Sequence, residues 1–263
     1  MNIIVCIKQV PDTNEAKIDP VRGTLIREGL PSIINPDDRN ALEEALRIKD
    51  EMEGVKVTAI SMGPPQAEIA LVEALAMGAD EAILLTDRAL AGSDTLATST
   101  ALSAVIRYIG DFDLIFCGRQ AIDGETAHVG PQIAEHLNIP QITCVEELKI
   151  EGRRVIAKRA LEDGYFIVEA EMPLLLTAAK ELNQPRYPSI KGIFEGFKGD
   201  RIKIVSPNDV NCDVTTVGLE GSPTRVVETF PPPIKSRDLE MLEGSPAEQA
   251  RQLLQRLREE KIV

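Results

Sequence analysis

No window of this sequence concentrates lysine and arginine. Its 29 basic residues stand against 42 acidic ones, a net charge of −13, which argues against a nucleic-acid partner. No uninterrupted apolar run approaches the ~20 residues that span a bilayer, so membrane insertion is not expected. The first residues, MNIIVCIKQVPD, are too short an apolar stretch for a signal sequence and lack a small-residue cleavage site. They read as the first strand of a cytoplasmic protein. Four cysteines (Cys6, Cys117, Cys144, Cys212) show no CxxC spacing, and His128 and His136 alone supply two ligands without a third, so no metal site is expected. Neither GxG nor GxxxxGK[ST] occurs, which removes the usual dinucleotide and P-loop fingerprints, and without a GxSxG elbow a nucleophilic hydrolase has no support. Internal repeats and low-complexity tracts are also missing.

What is present is alternation. Short β-branched runs at residues 3–7, 56–61, 82–85 and 114–117 are separated by helical patterns, the signature of βαβ units and a mostly parallel α/β sheet. Length suffices for one large or two modest domains. The spacing predicts a helix over 35–52, with Asn35 as N-cap, Pro36 at its first position and Asp37 and Asp38 in its first turn. Ala41, Leu42, Ala45 and Leu46 then share one face. Pro65 opens a second helix that Gly78 stops, and 93–109 forms a third. From Gln141 hairpin signals flank Glu151-Gly152-Arg153-Arg154, so the sheet should gain antiparallel members. After Thr177 the breakers Pro185, Pro188, Gly192, Gly196, Gly199 and Pro207, then Pro231-Pro232-Pro233, read as a long arm. Ser245-Pro246-Ala247-Glu248 is a capping box for a last helix, whose Ala247, Ala250, Leu253, Leu254 and Leu257 form one apolar face. That face suits either a partner subunit or the chain's own body. The expected division is an α/β nucleotide-binding domain over 1–205 and a C-terminal arm and helix over 206–263.

The informative segment is CGRQAIDGETAHVGP, Cys117 to Pro131. It lies between a parallel strand and a helix, at the carboxyl edge where open α/β sheets bind ligands. Gly118, Gly124 and Gly130 permit close backbone approach, and the amides of the following helix suit a phosphate. Asp123, Glu125 and Thr126 suit a ribose, and Arg119 a phosphate or a ring. The same residues also suit an ordinary solvated loop. Lys8-Gln9-Val10-Pro11, Met62-Gly63-Pro64-Pro65 and Thr86-Asp87 with Gly92-Ser93-Asp94-Thr95 fall on the same edge, where Lys8, Arg88 and Arg119 are the cations.

CIKQVPDT, NPDDRNALEEAL, GADEAILLTD, GSDTLATS and GRQAIDGETAHVGP, in this order, resemble the β subunit of electron-transferring flavoproteins, from Met1 to about Val205. The resemblance implies a Rossmann-like, mostly parallel sheet of the adenine-nucleotide α-hydrolase kind, paired with a flavin-carrying α subunit. It implies nucleotide contacts at Cys6, at Asn35, Pro36, Asp37 and Asp38, at Met62, and across Gly118, Arg119, Gln120, Ala121, Ile122, Asp123, Gly124, Glu125, Thr126, Ala127, His128 and Val129. Lys8 joins these from its place on the edge. Ordinary members hold AMP there, and bifurcating members hold a second FAD that takes hydride from NADH. Small Gly124 and Ala127 resemble the bifurcating pattern, in which Thr95 and Thr98 would hydrogen-bond the polar ring edge. NADH oxidation would then occur only within the α/β heterodimer or a larger complex, with one electron going to a dehydrogenase and the other to a low-potential carrier such as ferredoxin or flavodoxin. Pro185 to Ile193 matches the family's recognition loop, which places Ile190 as the aliphatic anchor for an acyl-CoA or related flavin dehydrogenase. Two alternatives stay open: an AMP-holding electron carrier, and a docking subunit without redox chemistry. A nucleotide-hydrolysing or adenylating relative would need an SGGxD-type motif, which is absent.

Overall fold

The computed structural model describes residues 1–12, 31–196, 198, 201–227 and 241–263. The proline triplet at 231–233 and Gly199, read above as breakers, lie outside the described residues. The chain divides into two compact units, Met1–Val227 and Glu228–Val263.

The first unit begins with β1 (Asn2–Cys6), the short β2 (Gln9–Pro11) and β3 (Ser32–Ile34), and α1 (Pro36–Glu51). Then come β4 (Lys56–Met62), α2 (Glu68–Met77), β5 (Glu81–Leu85), α3 (Thr95–Ile109), β6 (Leu114–Gly118) and α4 (Val129–Leu137). A third stretch supplies β7 (Gln141–Glu151), β8 (Arg154–Ala160), β9 (Tyr165–Glu171) and β10 (Leu174–Ala178). It is followed by α5 (Ile190–Gly196), β11 (Ile202–Val205) and the short α6 (Gly218–Gly221). The main sheet runs β11-β5-β4-β1-β6-β10-β7-β8-β9 and is parallel from β11 to β7, with β8 and β9 antiparallel. The mostly parallel α/β reading and the antiparallel addition after Gln141 both hold.

Alternation along each strand sorts the core into two layers. Ile3, Val5 and Ile7 face the side packed by Leu42, Leu46 and Leu71 of α1 and α2. Ile4 and Cys6 face Ala101, Val105 and Ile133 of α3 and α4. Each fully buried Leu or Ile contributes roughly 1.5–3 kcal/mol. The breaker-rich stretch returns to this body: β11 pairs with β5 at the sheet edge, and Val210, Cys212 and Val217 are buried in the second layer.

In the second unit, α7 (Pro246–Glu259) starts with the capping box foreseen in the sequence. Ser245 donates its hydroxyl to Glu248 at 2.6 Å and its amide to the same carboxylate at 2.8 Å. No residue of α7 is buried, and Leu253 and Leu254 are about half exposed.

Candidate functional site

The order of strands places the site. From β1 the chain steps outward to β4 and β5, then crosses back through α3 to β6 on the other flank of β1. Between the carboxyl ends of β1 and β6 the order reverses, which opens a crevice there. Cys6 and Lys8 stand on one lip, and Gly118 and Arg119 on the other.

The start of α1 closes the bottom of this crevice. Asp38 accepts the Lys8 amide at 2.8 Å and the Gly118 amide at 3.0 Å, so one buried carboxylate spans the two lips. Burial pushes its carboxyl up to about 7, and the hydrogen bonds from Lys8, Asn35 and Gly118 oppose that rise. Gly118 is required by this arrangement, because a Cβ there would lie 2.3 Å from Asp38 Oδ1. Asn35 sits at the N-cap position of α1, but its side chain does not cap the helix. Its amide nitrogen donates to Gln120 O at 2.8 Å and its carbonyl accepts from Ile122 N at 3.0 Å, so it ties down the loop after β6 instead. Asp37 stands 3.6 Å from the Arg119 guanidinium, and burial raises its carboxyl while Arg119 lowers it. Behind them, a hydrogen bond with Cys6 and then burial hold the Cys117 thiol protonated well above its ordinary range.

The loop itself is exposed from Ile122 to Thr126, and Lys8 Nζ meets Asp123 Oδ1 at 2.6 Å across the crevice. Glu125 and Ala127 adopt left-handed backbone, with φ of 52° and 57°. A Cβ on Gly124 would meet nothing within 4 Å. The structure thus brings together Cys6, Lys8, Asn35, Asp37, Asp38, Gly118, Arg119, Gln120, Ile122 and Asp123. Ala121 accepts the Glu125 amide at 2.8 Å, and Thr126, Ala127 and His128 lead into α4, which begins at Val129. Pro36 is exposed at the first position of α1. Met62, at the end of β4, and Thr95 and Thr98, in the first turn of α3, lie on the same edge at intermediate exposure without bonding to this cluster.

Helix starts along the edge differ in electrostatics. α1 carries Asp37 and Asp38 in its first turn, α2 carries Glu68, and α3 is capped by Asp94, which accepts the Ala97 amide at 3.0 Å. α4 has neither a side-chain cap nor an acid in its first turn. The amides of Val129 and Gly130 are left without a side-chain cap, while Pro131 has none to offer, and the crevice cations Lys8 and Arg119 pair with Asp123 and Asp37. This donor set, uncapped backbone amides together with cations and carboxylates at a sheet edge, has the chemistry that takes an adenine nucleotide.

Sequence reasoning missed one support and the burial of another. Arg119 N donates to Ala178 O at 2.9 Å, a backbone contact that leaves no trace in residue type. Asp38 falls on the same helical face as Ala41, Leu42 and Ala45, and that acid on an apolar stripe is the signal that would have marked it as buried.

Away from the crevice, Ile190 opens α5 and is 78% exposed, beside exposed Tyr187 and Phe194. Gly192 sets α5 closely on α2, since a Cβ there would lie 2.1 Å from Ala76 O. Arg186 joins Glu43 of α1 through Nε at 2.8 Å and Nη2 at 3.0 Å, which fixes the segment leading to Ile190.

An electron transfer flavoprotein domain model matches residues 22–206. Over its full length the chain is 60% identical to the whole of an electron transfer flavoprotein subunit beta from Thermoanaerobacterium thermosaccharolyticum. It is 52% identical to the caffeyl-CoA reductase-Etf complex subunit CarD of Acetobacterium woodii, and 45% identical to the acryloyl-CoA reductase electron transfer subunit gamma of Anaerotignum propionicum. Both of these alignments also cover the whole of each chain. The chain belongs to the electron transfer flavoprotein β-subunit family.

Proposed function

We propose that this β subunit of an electron transfer flavoprotein holds FAD in the β1/β6 crevice and serves flavin-based electron bifurcation with NADH as donor. The observation that carries the reading is the exposed loop at the carboxyl edge of β1 and β6, where a side chain at Gly124 would meet nothing of the protein within 4 Å, leading into the uncapped start of α4. In this arrangement the α4 amides, Lys8 and Arg119 hold the phosphates. The α1 residues fix the loop, and Thr95 and Thr98 line the α3 side. A flavin bound here would supply the two-electron to one-electron chemistry, which leaves positioning and exclusion of water to the chain. One electron leaves through the α-subunit flavin to a dehydrogenase, and the other goes to a low-potential carrier such as ferredoxin or flavodoxin. The names of the relatives, which include caffeyl-CoA and acryloyl-CoA reductase subunits, favour a CoA-ester dehydrogenase or reductase as the partner. Ile190 anchors that partner and α7 docks on the α subunit, all in the cytoplasm.

Counting the cofactors of the heterodimer tests the site. The parent should release two flavins on denaturation, and Gly124→Val should fold normally yet release one, because its new side chain enters only ligand space. One flavin plus AMP from the parent would favour the AMP-holding reading, and unchanged content in Gly124→Val would move the ligand elsewhere. Ile190→Ala should keep both flavins while weakening dehydrogenase association by roughly 1–3 kcal/mol, measured by titration calorimetry. Equal affinity would remove Ile190 from the interface.

A further inference from the structure

Resting on that nucleotide reading, we propose that Asp38 is a positioning residue that acts as a charge-dependent clip. Its carboxylate, engaged by the amides of Lys8 and Gly118, pulls the β1 and β6 lips to a fixed separation and so sets the cradle through the protein's own backbone.

Geometry carries the argument. Oδ2 accepts from Lys8 N and Oδ1 from Gly118 N, and Asp38 is 8% exposed, so both oxygens face backbone donors and not the open crevice. Two backbone amides converge on one side chain, and the ionised carboxylate accepts both as charge-assisted hydrogen bonds. Protonation leaves acceptor capacity on both oxygens but removes the charge that strengthens the two grips. Through its two grips Asp38 fixes the residue that carries Lys8 Nζ and the residue that leads into the loop tied by Asn35. A clip that fails lets the lips part, and the bare α4 start loses its alignment with the cations.

Because burial raises the Asp38 carboxyl to about 7, the clip should open within the physiological range. The sign is fixed by linkage. A carboxyl raised in the folded state makes the fold itself more stable as pH falls through that value, while the grip on the ligand weakens over the same window. The titratable and charged groups around Asp38 are Lys8 just after β1, Cys117 of β6 with its partner Cys6 of β1, and Asp37 beside it in α1 with its partner Arg119 just after β6, with Asp123 joined through Lys8. His128 stands at the start of α4.

The test uses the complete α/β heterodimer and follows the release of its β-site nucleotide, FAD by fluorescence or AMP by mass. Release from the parent should be about tenfold faster or more at about pH 6 than at about pH 8, the factor that one unit of protonation linkage supplies. Asp38→Asn, which places a donor against one amide, should release rapidly and equally at both. A parent that releases at one rate across the window overturns the clip even if the variant does not fold. A folded variant that retains nucleotide as the parent does also overturns it. A parent with no adenine nucleotide beyond the α-subunit flavin at either pH overturns the crevice reading, and the clip with it.

Discussion

Two helices start on the same edge of the same sheet, and their first turns are chemical opposites. α1 begins with two carboxylates that are buried and engaged by backbone amides and Arg119, so its start is spent on holding protein to protein. α4 begins with His128-Val129-Gly130, without an acid or a side-chain cap, and faces an exposed loop. The contrast teaches how a phosphate finds its place without a glycine fingerprint. An anion is repelled where first-turn acids already place negative charge, and it is drawn to the start among these four that carries neither an acid nor a side-chain cap. Specificity of placement comes from filling the wrong ends as much as from preparing the right one.

The largest effect should come from breaking the α1 side. Gly118→Ala puts a methyl 2.3 Å from Asp38 Oδ1, against a buried group that cannot retreat. We expect roughly 2–3 kcal/mol of lost stability in urea unfolding, together with loss of the bound nucleotide. Retention of both would mean that the lips are looser than the contacts imply.

Making α4 resemble α1 should do less to the fold and more to the ligand. His128→Asp supplies a capping carboxylate, expected to stabilise the helix by about 1 kcal/mol while lowering nucleotide affinity about tenfold through repulsion. A variant that gains stability and keeps its affinity would show that the phosphates lie elsewhere. The smallest effect is expected at Asn35→Ala, which frees Gln120 O and Ile122 N. The cost should be about 1 kcal/mol, seen as faster amide exchange confined to residues 118–124. Exchange unchanged there would leave the loop held by Asp123 and Arg119 alone.

Local grammar made much of this legible. Pro36 with its following acids marked α1, and Ser245 with Glu248 marked α7, because each signal sits within a few residues of its effect. The loop after β6 was found by its glycines and its place at a strand end. What the sequence concealed depended on distant partners. Asn35 read as a cap, yet its side chain is used 85 residues away at Gln120. β11 was hidden among breakers because its pairing with β5 is decided by the sheet edge and not by its own four residues. Asp37 and Asp38 read as helix-dipole acids. Their burial follows from the crevice between β1 and β6, which exists only once the crossover through α3 has been made.

Anaerobic titration of the intact heterodimer with NADH addresses the central claim most directly. The account predicts two flavins per heterodimer, with one whose absorbance bleaches on stoichiometric NADH and is lost in Gly124→Val. A heterodimer that carries one flavin, releases AMP on denaturation and leaves its absorbance unchanged by NADH would contradict it.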